Sequence, residues 1–248
     1  IAFAGDYAGL IQQMQRRPPI WLRPQTRDLP ALLAELKAAG LQAELFSSAF
    51  PAIRLNQARV NLRTMPAFQE GRFEIQDLAS QVIGFVCGAK AGQRWWDACA
   101  GAGGKSLQLA WQMEGKGSLI ATDLREYKLD DMRKRARRVQ LSNIRGKLWS
   151  DKQPPPSKTP FDGVLVDAPC TCSGTWRRNP DARWSLQESE VAELAALQLR
   201  ILESARRGVA VGGTLVYATC SMFEKENQGV VSEFLRRHAD FQLVPFQN

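Results

Sequence analysis

Two cysteines, Cys170 and Cys220, each follow an apolar β-rich run, in Asp167-Ala168-Pro169-Cys170 and Thr219-Cys220-Ser221. A third stretch, Asp97-Ala98-Cys99-Ala100-Gly101-Ala102-Gly103-Gly104-Lys105-Ser106, turns a strand into a helix through glycines. Thiolates are nucleophiles, and a glycine turn lets backbone amides approach an anion at a helix N-terminus. His238 is the single histidine and lies in a charged stretch, which excludes a Ser/His/Asp set or a histidine metal cluster. Chemistry here must come from Cys, Asp, Lys or a bound cofactor. The five cysteines, Cys87, Cys99, Cys170, Cys172 and Cys220, contain no C-x-x-C pair, so free thiols are expected, with no disulfide framework and no metal.

The glycine turn ends like a phosphate cradle, but a P-loop puts its first glycine where Cys99 stands, and the register fails. A dinucleotide fingerprint starting at Gly101 would put Ser106 at its third glycine, which weakens that reading too. What remains is an acid closing one strand, a glycine turn opening a helix, and a second acid, Asp123, closing the next strand. That arrangement suits S-adenosylmethionine. The turn from Cys99 and Ala100 through Gly101, Ala102, Gly103 and Gly104 to Lys105 would cradle it, and Asp123 would accept hydrogen bonds from the ribose hydroxyls. Asp151, at a third strand end, is placed to reach the adenine. Taken alone, the glycines suit a plain tight turn as well, and Asp123 suits a helix N-cap.

These residues need a scaffold that gathers strand ends. Short β-rich runs at Arg94–Cys99, Leu119–Asp123, Ile144–Trp149, Phe161–Asp167 and Gly213–Cys220 alternate with helical stretches at Lys105–Met113, Arg125–Leu141 and Ser185–Arg207. The alternation predicts an α/β fold, a Rossmann-like parallel sheet with helices on both faces and ligands at the carboxyl ends of its strands. Before it, strands at Ile20–Arg23, Leu41–Leu45 and Ala52–Leu55 with a helix over Asp28–Ala39 predict a small α+β module. The expected organisation is a helical segment over 1–19 stopped by Pro18-Pro19, the module over 20–66, and the sheet domain over 67–248.

The chain has 248 residues and a formal net charge of +8, carried mostly by arginine, which points to a polyanionic partner. Charge alone leaves RNA, DNA and an anionic membrane open. No apolar run reaches the roughly 20 residues that span a bilayer, and the opening lacks a signal peptide's pattern, so a cytoplasmic protein without a membrane partner is expected.

Together these stretches resemble the RNA cytosine-5 methyltransferases of the NOP/Sun (RsmB-like) family. The likeness runs from about Pro18 through EGRFEIQDLASQ, DACAGAGGKS, DAPC with RRNPD downstream, and ATCS followed by EKEN. It implies methyl transfer from S-adenosylmethionine to carbon 5 of a cytosine in RNA, with ribosomal RNA placed ahead of transfer RNA, through a covalent adduct at carbon 6. It further implies that Cys220 is the nucleophile, that Cys170 helps free the product, and that Asp167 steadies the pyrimidine near the methyl donor. Lys105 would contact cofactor or substrate, while Arg177, Arg178, Asn179 and Asp181 would line the RNA channel. Trp176 is a candidate to stack on the base. Gln76, Asp77 and Ser80 would shape the floor of the site, unless Asp77 and Ser80 only cap a helix, and the basic run KLDDMRKRARR reads as a solvated face. The family pattern Cys-Ser-Gly is here Cys170-Thr171-Cys172-Ser173-Gly174; Cys170 is preferred as the counterpart because it directly follows Asp-Ala-Pro. Ala102 stands for a common proline, and the strands that the family carries past Phe246 are not in this sequence. A non-catalytic RNA-binding relative and a DNA cytosine-5 methyltransferase, which would use Cys170, are the alternatives.

Overall fold

The structure, a computed structural model, describes residues 6–47, 50–56 and 60–245. The start of the 1–19 segment and the stretch from Phe246 lie outside them. In chain order the elements are α1 (Tyr7–Gln15), β1 (Ile20–Pro24), α2 (Leu29–Ala38), β2 (Ala43–Leu45), β3 (Ile53–Leu55), α3 (Pro66–Gln69), β4 (Phe73–Ile75), α4 (Leu78–Cys87) and β5 (Arg94–Asp97). They continue with α5 (Gly104–Gln112), β6 (Ser118–Asp123), α6 (Glu126–Arg138), β7 (Ile144–Leu148), β8 (Phe161–Asp167), α7 (Ala182–Ser185), α8 (Glu188–Ala205), β9 (Val209–Ala218) and α9 (Gln228–Arg237). No described helix is long and apolar enough to cross a membrane.

The second half is the expected parallel sheet, in the order β7-β6-β5-β8-β9. Its central strands are buried on both faces, as the alternation in β5 and β8 dictates. Trp96, Val164 and Val166 join Trp149, Phe161, Ile201 and Phe234 in one core layer, whereas Trp95 and Leu165 join Leu109, Met113, Leu119 and Met132 in another. Trp96 is fully buried and satisfies its indole N–H on Thr122 Oγ1 at 2.9 Å.

The strands are shorter at their carboxyl ends than the sequence predicts. β5 stops at Asp97 rather than Cys99 and β9 at Ala218 rather than Cys220, because the backbone must leave the ladder to form the turns that follow. Cys99 and Cys220 therefore lie in loops beyond the rim. At its other end β9 begins at Val209, earlier than expected, and a register irregularity against β8 takes up Gly212, whose φ is +74°. The helix predicted over Ser185–Arg207 is α8, Glu188–Ala205, and starts with a reciprocal capping box between Gln187 and Glu190. α6 ends at Arg138, short of the expected Leu141, as Gln140 turns to a φ of 56°.

The small module is an antiparallel sheet, β2-β3-β1-β4, over α2. Its fourth strand, β4, lies past the boundary expected near residue 66: three residues are too few for alternation to show, yet Phe73 is fully buried among Leu22, Leu32, Leu36, Ile53 and Leu55. The module grips the glycine turn of the large domain. Glu74 on β4, only 3% exposed, takes a hydrogen bond from Arg135 Nη2 at 2.9 Å and another from Arg138, and Arg135 Nη1 donates to the carbonyl of Ala102 at 2.7 Å. Arg23 on β1 donates to the carbonyl of Gly104 at 2.9 Å. Burial pulls the Arg23 guanidinium down to about 9, which leaves it a cation at neutral pH. So the inner side of the run read as a solvated basic face is instead an interface, because a buried carboxylate waits for it. Removing one partner of a buried ion pair strands the other charge, so Glu74→Ala should lower the urea-unfolding free energy by about 3–5 kcal/mol; a loss under 1 kcal/mol would show that the pair does not hold the two domains together.

Candidate active site

The site is built at the carboxyl rim of the parallel sheet. After β8 the chain runs through Cys170, and after β9 through Cys220, and the two sulfurs lie 3.3 Å apart. Cys172 joins them: the three Sγ atoms all lie within 4.8 Å of one another, so a trio forms where the sequence, lacking C-x-x-C, gave no sign of one.

A buried carboxylate holds the two loops in this register. Glu226, fully buried, accepts from Thr171 N at 2.9 Å, from Thr171 Oγ1 at 2.6 Å, from Gln198 Nε2 at 2.8 Å and from the Ser221 hydroxyl. Further ties run directly between the loops. Gly174 N donates to Cys220 O at 2.8 Å and Met222 N to Ser173 Oγ at 2.7 Å. A Cβ on Gly174 would meet Cys220 O at 2.6 Å, so only glycine fits there. Asn227 Nδ2 donates to Ser221 O at 2.9 Å and Phe223 O at 3.0 Å, closing the second loop on itself. Among these, Glu226, Gln198, Ser173 and Gly174 went unassigned in the sequence. EKEN was visible as part of a likeness but carried no role.

The thiols titrate as one unit. S–H donors at Cys170 and Cys220 lower the Cys172 thiol, whereas sulfur neighbours and burial raise Cys170 and Cys220, so the trio favours one thiolate and resists a second. Cys87 and Cys99 are different. Burial pushes both up, Cys87 to about 12, and neither is a reactive thiol.

Asp167 lies at the end of β8, three residues before Cys170. Lys105 Nζ donates to its Oδ2 at 2.6 Å, yet burial outweighs that partner and raises the Asp167 carboxyl. The glycine turn opens α5 as expected. Gly101 has a φ of +53° and open space where a Cβ would stand, whereas a Cβ on Gly103 would strike Met132 of α6 at 2.3 Å. Gly101 faces a cradle and Gly103 allows helix packing. Asp123 closes β6; its Oδ2 accepts from Gly101 N at 3.0 Å, and Arg125 donates to it through Nε at 2.9 Å and its backbone N at 2.9 Å, which keeps the carboxyl below its usual range despite burial. Asp123 thus clasps the glycine turn and also fixes the start of α6. Asp151 is turned towards α8, with Arg200 Nε at 3.4 Å from its Oδ2.

The RRNPD residues are placed by the N-terminal segment. Arg177 donates to the carbonyls of Arg16 at 2.7 Å and Arg17 at 3.2 Å, and Arg178 pairs with Asp77, which also caps α4 through Ala79 N at 3.1 Å. Asn179 and Asp181 are exposed at the tip. A groove of about 610 Å³ runs here, lined by Arg16, Arg17, Trp21, Arg177 and Arg178 among others. Gln76 is buried, with Nε2 at 3.2 Å from Ser80 Oγ, and its Oε1 has no partner. Trp176 packs edge-on against Phe223, with ring centroids 6.3 Å apart, as a loop anchor.

Residues 86–248 match the family described as 16S rRNA methyltransferase RsmB/F. Ribosomal RNA small subunit methyltransferase B of Shewanella oneidensis is 35% identical over 98% of this chain and 56% of its own length. Among solved structures, that of PH0851 superposes with a TM-score of 0.90 at 33% identity, over 95% of this chain and 54% of that one. A methyltransferase homologue from Pyrococcus horikoshii superposes with a TM-score of 0.80 at 28% identity, over 91% of this chain and 72% of that one. The chain spans somewhat more than half the length of the curated relatives it matches.

Asp97 sits beneath the turn, 1% exposed. Ser106 Oγ donates to its Oδ2 at 2.7 Å, while Oδ1 has no partner, and burial pushes the carboxyl up to about 7. A carboxyl raised on folding stabilises fully below its unfolded pKa and loses that contribution as pH rises through the folded value. Between about pH 4 and 7 the protein should lose up to about 1.4 kcal/mol of unfolding free energy per pH unit from this residue. Urea titrations across that window should show the slope in the wild type and a flatter one in Asp97→Asn; equal slopes would assign the titration elsewhere.

Proposed function

The chain belongs to the 16S rRNA methyltransferase RsmB/F family, and from that premise we propose that it transfers a methyl group from S-adenosylmethionine to carbon 5 of a cytosine in ribosomal RNA, through a covalent bond between Cys220 and carbon 6. The single observation that carries this reading is the 3.3 Å approach of Cys220 to Cys170 at the sheet rim, beside Asp167.

The glycine turn fits the cofactor: Gly101 fronts open space, Asp123 closes the neighbouring strand, and the orphaned Oδ1 of Asp97 lies at the base of the turn. Gly101 through Lys105, Asp123 and Asp151 are the residues that would hold it. Bound there, S-adenosylmethionine supplies an electrophilic methyl group on a sulfonium. The side chain of Arg125, about half exposed, occupies lone pairs of Asp123 that ribose hydroxyls would use, so it gives way when they bind.

The remaining chemistry belongs to the chain. Carbon 5 of cytosine is a weak nucleophile; addition of the Cys220 thiolate at carbon 6 turns it into an enamine-like centre. Asp167 can hydrogen-bond the pyrimidine as that charge develops, with Lys105 fixing its direction. After methylation the proton on carbon 5 must leave and the Cys220–C6 bond must break. Cys170, the sulfur in contact with Cys220, is the group assigned to that release. An attack from above the ring requires an unstacked base. The basic groove at Arg16, Arg17, Arg177 and Arg178 is the path assigned to the RNA backbone.

RNA containing 5-azacytidine should form a denaturant-resistant adduct with the wild type and none with Cys220→Ala, whereas Cys170→Ala should accumulate adduct even on ordinary cytosine. Loss of the adduct in Cys170→Ala with retention in Cys220→Ala would reverse the two roles and favour the DNA-type mechanism; no adduct in any form would leave an RNA-binding relative. Hydrogen bonds to a charged acceptor contribute about 1.5–3 kcal/mol, so Asp123→Ala should weaken S-adenosylmethionine binding in calorimetry by at least about tenfold. Unchanged affinity would remove Asp123 from the cofactor site.

A further inference from the structure

The proposed reaction employs two of the three sulfurs and leaves Cys172 without a task. Its backbone is left-handed, with φ 56° and ψ 23°, a conformation uncommon in any residue that carries a Cβ. Its Sγ lies 3.4 Å from the Cys170 carbonyl, on the side of the other two sulfurs. The loops that carry the trio are pinned by Glu226, Ser173 and Gly174 before anything binds. Cys172 and Cys220 are exposed, so the cluster is open to solvent.

A tetrahedral zinc ion about 2.3 Å from each of three thiolates sets the sulfurs about 3.8 Å apart. Here one pair lies at 3.3 Å and every pair within 4.8 Å, so the required spacing falls within those bounds. Three sulfur donors without carboxylate or imidazole select a soft, thiophilic cation over magnesium or calcium. We infer that Cys170, Cys172 and Cys220 form a three-thiolate binding site for a zinc-type divalent cation, with its fourth position open to solvent. On binding, each thiol gives its proton to solvent and forms one sulfur–metal bond; nothing is oxidised or reduced. The site itself stands on geometry. Its consequence rests on the proposed function: the metal takes the Cys220 thiolate, so metal and RNA adduct exclude one another.

The test uses the reduced 248-residue chain, kept in a phosphine reductant and without RNA or S-adenosylmethionine. Zinc should bind at one equivalent with three sulfur scatterers at about 2.3 Å in its X-ray absorption spectrum, and cadmium should give a thiolate charge-transfer band. Loss of an outer-shell partner alone weakens a metal site about 10–100-fold, so Cys172→Ser and Cys172→Ala should each weaken zinc by at least about 100-fold. Cys87→Ala should leave the affinity unchanged. Fewer than three sulfurs around the metal, or equal affinity in the Cys172 variants, would overturn the inference; should those variants fail to fold, the sulfur count in the wild type decides. Zinc-loaded protein should form no adduct with 5-azacytidine RNA. An adduct without a metal site sinks this inference and leaves the function standing, and a metal site without any adduct does the reverse.

Discussion

Two sulfurs fifty positions apart in the chain lie 3.3 Å from one another, and the constraint that holds their loops together is the buried carboxylate of Glu226. It gathers Thr171 from one loop, Ser221 from the other and Gln198 from the helix beneath them. A buried charge is tolerable only where donors surround it, so the loops cannot move apart without stranding it. The same interaction that orders the backbone therefore holds the two sulfur-bearing loops together. Cys170 and Cys220 can sit on exposed loops, accessible to a nucleic acid, and still be positioned as if they lay on strands.

A second buried carboxylate does comparable work at the other side of the rim. Glu74 belongs to the small module, yet through Arg135 it steadies the Ala102 carbonyl in the middle of the glycine turn. Arg23 does the same at Gly104. The module is thus part of the architecture of the glycine turn as well as a contributor to the basic groove.

The rim also sets out its electrostatics in opposed pairs. Asp97, buried with one oxygen unpartnered, and Asp167, buried against Lys105, both have raised carboxyls, whereas Asp123, tied to Arg125 and to the amide of Gly101, is held low. Environment alone separates three aspartates at three neighbouring strand ends. The one held low is suited to accepting hydrogen bonds.

The sequence by itself determined the alternation of strands and helices, hence the parallel sheet, and the types of residue at its rim, because apolar periodicity and turn chemistry are local signals. It determined too that the basic run 128–138 would be helical, whereas for Asp77 it allowed both the floor of the site and a helix cap, and the fold shows it capping α4. Which face of that run turns inward was decided only by Glu74, a residue whose strand is too short to announce itself. That Cys170 and Cys220 act as a pair was implied by the family resemblance, but their 3.3 Å contact, the arrival of Cys172 beside them and the role of Glu226 were settled by tertiary structure alone. Each depends on β8 and β9 lying side by side, and a contact between residues about fifty positions apart leaves no periodicity in one chain from which to read it.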